Sequence, residues 1–338
     1  MSNQELRTGS STTRKRTNFL ELFSRFREVG IVAFIFLLVF AVTLRAPSFL
    51  SINNLTDILM NISILIIVAM AQTIVIITKG IDLSVSSIIG LVAMMVGFIL
   101  KTNPEFPVFF TVLLGLALGV ILGSFNGFII TIGNVPPIIA TLGTQSIYRG
   151  LVFFYSQGTW INSFELPGSI KLLSKGKLLG LPNLVVIAIL IAFLTFLFLR
   201  FTRVGRNIYA VGSNPTASEY AGIRPQRIKF LVYVLSGLIS GLAAVLWISR
   251  FESAQTNTAL GFELQTVTAA VIGGVSTSGG VGSIPGVLLG ALLLGIIQNA
   301  LTLIRISPFW QLAAQGLLII IAVVTDKLIS KRVVRANK

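Results

Sequence analysis

About ten apolar stretches, most near the length of a membrane crossing, fix what this chain can fold into. They run at 29–44, 55–78, 84–100, 108–132, 136–155, 184–199, 229–249, 264–279, 284–304 and 309–325. A helix needs ~20 apolar residues to cross the hydrocarbon core. The eighth stretch is short and glycine-rich. Lipid offers no partner to open backbone groups, so the spans must be helices, and the alternation of a barrel strand is absent. With 54% hydrophobic residues, 11% charged and a mean hydropathy of +0.91, the composition excludes a soluble globular domain. The fold class is an all-α, polytopic membrane protein with about ten transmembrane helices.

The net charge of +15 is not spread evenly. With the N-terminus inside, six basic residues fall in the N-terminal tail and six between Arg200 and Lys229. Five fall in the C-terminal tail, and Lys79 joins them on the same side. This is the positive-inside pattern, and it puts both termini in the cytoplasm. Anionic membrane lipid is then the partner of the basic tails, and nucleic acid is not. Residues 1–26 read as a disordered cytoplasmic tail. Residues 27–326 read as the transmembrane domain, and 327–338 as a basic cytoplasmic tail. The first span reads as a retained helix, with no small-residue cleavage site before it. Cysteine and histidine are absent, which removes thiolate chemistry, zinc sites and histidine relays. No cofactor, metal or catalytic residue is expected.

Small residues recur at four-residue spacing. Gly115, Gly119, Gly123 and Gly127 form one stripe, Gly282, Gly286 and Gly290 a second, and Gly237 with Gly241 a third. Such stripes let helix backbones approach closely, and sliding during a gating cycle is the alternative use. The segments Gly80–Gly90 and Gly280–Gly290 echo each other in spacing, by duplication or by chance.

No Asp, Glu or Lys falls near the middle of a span; Asp57, Asp82 and Glu263 lie near span ends. That argues against proton coupling. No phosphate-binding loop motif occurs, so ATP is not bound here through a P-loop. Neutral polar residues do lie within spans. The pathway candidates are Gln72, Asn126, Thr141, Gln145, Arg149, Gln298 and Asn299. Thr141, Gln145 and Arg149 share one helix face at i, i+4 and i+8. Amides and hydroxyls suit a neutral polyhydroxylated substrate; interhelical hydrogen bonding is the plainer use.

Between the sixth and seventh spans, 201–228 form a polar, basic island. A membrane protein gains from such a segment when a cytoplasmic protein docks on it. Pro215 and the glycines punctuate a loop, with one or two helical turns over Thr216–Ala221. Ser213 or Asn214 would cap those turns, with Pro215 at the first helical position.

Several motifs together carry a resemblance over nearly the whole chain after residue 30. They are Gly80-Ile-Asp-Leu-Ser84, Val135 to Thr144, Gly205-Arg206, Tyr209 to Gly212, Asn214, Ala221-Gly222-Ile223, Glu263-Leu264, Val271 to Gly274 and Gly279 to Gly282. With them the chain resembles the permease subunits of bacterial ABC importers for ribose and related sugars. Ile147-Tyr-Arg-Gly150, Gly158-Thr-Trp-Ile161 and Phe309-Trp310 look most like permeases for autoinducer-2 and rhamnose. Ser218 and Ala221 stand where an alanine and a serine are more usual.

The resemblance implies a multi-pass protein of the bacterial inner membrane that is not itself an enzyme. It implies ABC ATPase subunits, a second permease subunit in a homo- or heterodimer, and an extracytoplasmic solute-binding protein. The island then becomes the ATPase coupling segment, with Gly205, Arg206, Tyr209, Gly212, Asn214, Glu219 and Gly222 as its candidate residues. The substrate expected is autoinducer-2 or a similar small sugar, with rhamnose, ribose or a branched-chain amino acid as alternatives. A sodium-coupled secondary transporter and a passive polyol channel are the rivals from other classes.

Overall fold

The structure, a computed structural model, describes residues 14–307 together with 310, 311, 313, 314, 316, 317, 320 and 324. Twelve helices follow in order: α1 (Arg14–Arg45), α2 (Ile52–Ile77), α3 (Val85–Thr102), α4 (Val108–Thr131), α5 (Pro137–Ser156), α6 (Gly168–Lys175), α7 (Asn183–Phe201), α8 (Arg203–Ser213), α9 (Pro215–Tyr220), α10 (Pro225–Phe251), α11 (Phe262–Ile272) and α12 (Ile284–Leu303). Among the described residues seven helices are long and apolar enough to cross a membrane: the part of α1 from Glu28, then α2, α3, α4, α7, α10 and α12.

The described residues do not confirm the expected count of about ten, and the three remaining stretches differ in why. The fifth stretch does form a 20-residue helix, α5, but its polar face keeps it out of the apolar set. The eighth forms only the 11-residue α11, about 16 Å long and too short for a ~30 Å core. It stops at Gly273, and Gly274 follows at φ 100°. The tenth lies largely outside the described residues, as do 1–13 and 327–338. Within the stretch read as a tail, helix α1 already begins at Arg14.

Helix α2 is the centre of the bundle, with most of its residues buried; α1 and α4 lie at the rim. Its start is set by Ser51, whose hydroxyl accepts from Asn54 N at 3.3 Å. The glycine stripes are packing seams. A Cβ at Gly119 would overlap the carbonyl of Gly237, and one at Gly237 the carbonyl of Gly119; one at Gly241 would overlap the carbonyl of Gly115, and one at Gly115 the side chain of Val245. So α4 and α10 touch backbone to backbone. Gly286 and Gly290 likewise press α12 onto Gly273 and Ala269 of α11.

The bundle has two ends. One carries the α2–α3 turn, the α4–α5 connection, α8, α9 and the α11–α12 loop; we call it the basic end. At the other, residues 157–182 form α6 and a two-residue hairpin, and Ile161 pairs with Ala254 across the cap. Glu252 joins Lys171 at 3.0 Å and also binds Lys175 and Ser163; Lys101 meets Glu165 at 2.6 Å.

Candidate functional site

At the basic end the α2–α3 turn folds inward, and Asp82 within it is fully buried. Irregular backbone at this depth survives only when protein satisfies it. Gln72 does so with both ends of its amide: its nitrogen donates to Asp82 O and its oxygen accepts from Asp82 N, each at 3.2 Å. Asp82 Oδ1 accepts from Ser84 N at 3.0 Å and Ser84 Oγ at 2.6 Å, and Oδ2 accepts from Ser236 Oγ of α10 at 2.8 Å. Asn126 of α4 donates to Ser84 Oγ at 2.7 Å, and Tyr148 of α5 donates to Asn126 Oδ1 at 3.2 Å. Thr141 Oγ1 donates to Ile81 O at 3.1 Å. Three of the pathway candidates, Gln72, Asn126 and Thr141, thus sit in one closed network around Asp82.

Two more lie between α5 and α11. Gln145 donates to Glu263 Oε1 at 3.1 Å, while Arg149 Nη1 donates to Thr256 O at 3.1 Å and Thr258 O at 2.9 Å. Arg149 Nη2 and Glu263 Oε2 have no partner among the described residues. The expectation that carboxylates lie at span ends holds for Asp82 and Glu263 by position, yet both are buried by inward-folded connections.

The last two face open space. Between α2, α10, α11 and α12, toward the end opposite the basic one, a cleft of about 570 Å³ opens. Trp247, Phe251 and Phe262 form its aromatic wall: Trp247 meets Phe262 edge-on at 5.3 Å and Phe251 at 4.6 Å. Asn61, Gln265, Gln298 and Asn299 supply amides. Asn299 is engaged by Asn54 at 2.9 Å, and Asn61 by Arg250 at 3.5 Å. Gln265 and Gln298 make no side-chain hydrogen bond to a described residue. Among the described residues no charged one lines the cleft.

Trp247, Asn61 and Gln265 escaped the sequence reading. Trp247 and Phe251 at i, i+4 were the available signal; Gln265 was hidden in the glycine-rich eighth stretch. An apolar wall with a few unpaired amides is the form a site for a small neutral molecule takes.

The island is more structured than a punctuated loop. Thr202 Oγ1 accepts from Gly205 N at 2.9 Å and starts α8, which runs through Gly205 and Gly212. Both glycines are buried because backbone lies against them: Phe198 and Leu199 at Gly205, Ile77 and Gly280 at Gly212. Gly280 N in turn donates to Ile77 O at 2.9 Å, and Lys79 Nζ donates to Ser213 O at 3.2 Å. Tyr209 donates to Gly282 O at 2.9 Å, and burial pushes its phenol above the ordinary value. Asn214 caps α9 through Ala217 N at 3.0 Å with Pro215 first in the helix, as expected. Arg206, Asn214, Glu219, Tyr220 and Gly222 are exposed.

Comparison with known proteins then decides the family. Residues 54–323 match the family described as the permease component of the branched-chain amino acid transport system. The chain belongs to that family. It is 36% identical over 316 residues to the ribose import permease protein RbsC of Bacillus subtilis, covering 94% of this chain and 97% of that one. To the RbsC of Escherichia coli K12 it is 37% identical, over 88% and 93% of the two chains. To the autoinducer 2 import system permease protein LsrC of Escherichia coli O157:H7 it is 34% identical, over 91% and 89%. No solved structure matches. The resemblance read from the sequence is shown, and the chain is a multi-pass transport component rather than an enzyme.

Proposed function

We propose that this chain is the transmembrane permease subunit of an ABC importer that moves a small neutral sugar, of the ribose and autoinducer-2 class, into the cytoplasm. The observation that carries the reading is the match along nine-tenths of the chain to import permeases for those two substrates. The cleft supports it. Its aromatic wall suits the C–H faces of a sugar, and its free amides at Gln265 and Gln298 suit hydroxyls. A branched-chain amino acid is a zwitterion, and a wall without charges offers it no counter-ion.

The basic end faces the cytoplasm under the positive-inside rule. The exposed side of α8–α9, with Asn214, Glu219 and Gly222, is the docking face for an ATPase subunit, and Arg206 stands at its edge toward the membrane. A solute-binding protein delivers substrate to the cleft end, and a second permease completes the pair. Gln298 belongs to the substrate pathway, and Asn299 lines it with its amide already paired to Asn54. Gln72, Asn126 and Thr141 shape it by holding the α2–α3 turn.

The test is uptake into vesicles carrying the permease, its ATPase and the loaded binding protein. Ribose, autoinducer-2, rhamnose and leucine are compared with and without ATP. Strictly ATP-dependent uptake of one of the sugars is expected. Uptake driven by a sodium gradient, or of leucine alone, would overturn the reading.

A further inference from the structure

Two cavities on the membrane face of the basic end run into each other. The first, about 440 Å³, lies where α7 ends, α8 begins and α12 begins, and Arg200, Arg206 and Tyr209 line it. The second, about 320 Å³, is a groove between α2, α7 and α12, lined by Ile189, Phe193 and Leu288 without a charged side chain. Phe196, Ile284 and Pro285 line both, so the polar cavity continues into the apolar groove.

The two guanidiniums are uncommitted. Among the described residues no carboxylate lies within ion-pair distance of Arg200 or Arg206. Arg200 rests on the rings of Phe196 and Phe201 at 5.6 and 5.7 Å, and Arg206 makes only a 3.4 Å bond to Phe201 O. Glu28, the carboxylate at the cavity's edge, is engaged by the Ser283 hydroxyl at 3.1 Å. Among the described residues two positive groups therefore face one carboxylate, which leaves the cavity positive. Guanidinium forks match phosphate oxygens, and a cation on an aromatic ring stays available to an anion on its other side.

The geometry points to a binding site for one anionic phospholipid of the cytoplasmic leaflet, its phosphate between Arg200 and Arg206 and an acyl chain along Phe193 and Leu288. A soluble phosphate fills only the first cavity and leaves the groove bare. A lipid without phosphate fills the groove and leaves the guanidiniums unmatched, and a zwitterionic one brings its phosphate with a quaternary ammonium that two guanidiniums repel. Only a molecule with both parts satisfies both. The site joins α7, α8 and α12 at the point where the docking helices leave the membrane.

The test uses the full chain carrying Phe193→Trp, reconstituted in phosphatidylcholine vesicles with a minor fraction of brominated lipid. Emission of the unsubstituted protein is subtracted. Brominated phosphatidylglycerol should quench the introduced indole about fivefold more effectively than brominated phosphatidylcholine, the preference of one basic residue for a net anionic over a zwitterionic headgroup. Arg200→Gln should abolish that preference and Arg200→Lys retain much of it. Ile139→Trp, exposed at the basic end of α5, should show little preference. Equal quenching by the two lipids at position 193 would overturn the proposal. So would the same preference at position 139, which would mean diffuse surface charge. Relief of quenching by soluble glycerol phosphate would reassign the cavity to a free anion. If Phe193→Trp does not fold, Ile189→Trp reports from the same groove.

Discussion

The polar groups that hold Asp82 and two glutamines in the cleft are of the same kinds, and they are used in opposite ways. Around Asp82, each amide and hydroxyl from Gln72, Ser84, Asn126 and Ser236 has a protein partner. Around Trp247, Gln265 and Gln298 have none among the described residues. A satisfied network fixes a shape, because every bond it makes would be lost on moving. Unsatisfied amides in an accessible cleft keep water until something displaces it. The side chains' identities do not separate a structural group from a binding group; their bonding does.

Four experiments bear on that contrast. The largest effect is expected from Gly212→Glu. Its Cβ would overlap Ile77 O, so folding should fail or lose more than about 4 kcal/mol, read as loss of purified protein or of thermal midpoint. Glu219→Lys, on the exposed face, should leave the midpoint alone and weaken ATPase binding. A docking test built on Gly212 would measure packing instead.

Gln145→Leu comes second. It strips Glu263 of its amide donor and should lower unfolding stability in detergent by about 1–3 kcal/mol. An unchanged midpoint would place Gln145 with the open amides. Third, Gln298→Leu should reduce uptake about tenfold at unchanged thermal midpoint, the effect of losing one hydrogen bond to substrate. A lowered midpoint would move it into the wired class.

The smallest effect concerns Glu252 in the ion-paired cap. Lys175, then Ser163 and Lys171, hold its carboxyl down at about 2, against 4.5 ordinarily. A depressed carboxylate stabilises the fold above its unfolded value and stops doing so as pH falls through its folded one. Stability should therefore decline between about pH 4.5 and 2, by less than about 1 kcal/mol for so accessible a cluster. The Glu252→Gln variant should show a flatter profile over that window.

What the sequence made legible was local. The Asn214–Pro215 start of α9 needs only neighbours in the chain, and it was readable. The seams were readable because their four-residue period lies within single helices. Helix α8 was not: Gly205 and Gly212 look like loop punctuation, but their reason is backbone pressed on them from α7 and α2. The eighth stretch read as a span because no charge interrupts 264–279, but past Ile272 the run turns to glycine, serine and threonine and the helix ends there. The cleft draws on four helices distant in sequence, so no window could contain it. Asp82 looked like a residue at a span end because only tertiary folding carries its turn inward.

The seam between α4 and α10 has a mechanical consequence. Where glycine backbone meets glycine backbone, at Gly119 and Gly123 against Gly237, the contact has no rotamers to adjust. Its teeth are four residues apart, about 6 Å along the axis. Sliding by less than one tooth drives a carbonyl into the Cα it now clears; sliding by a whole one unseats the pair at an end. The two helices behave as a single thick beam, one from each half of the chain. Any rocking of this permease must pivot about that beam rather than open it.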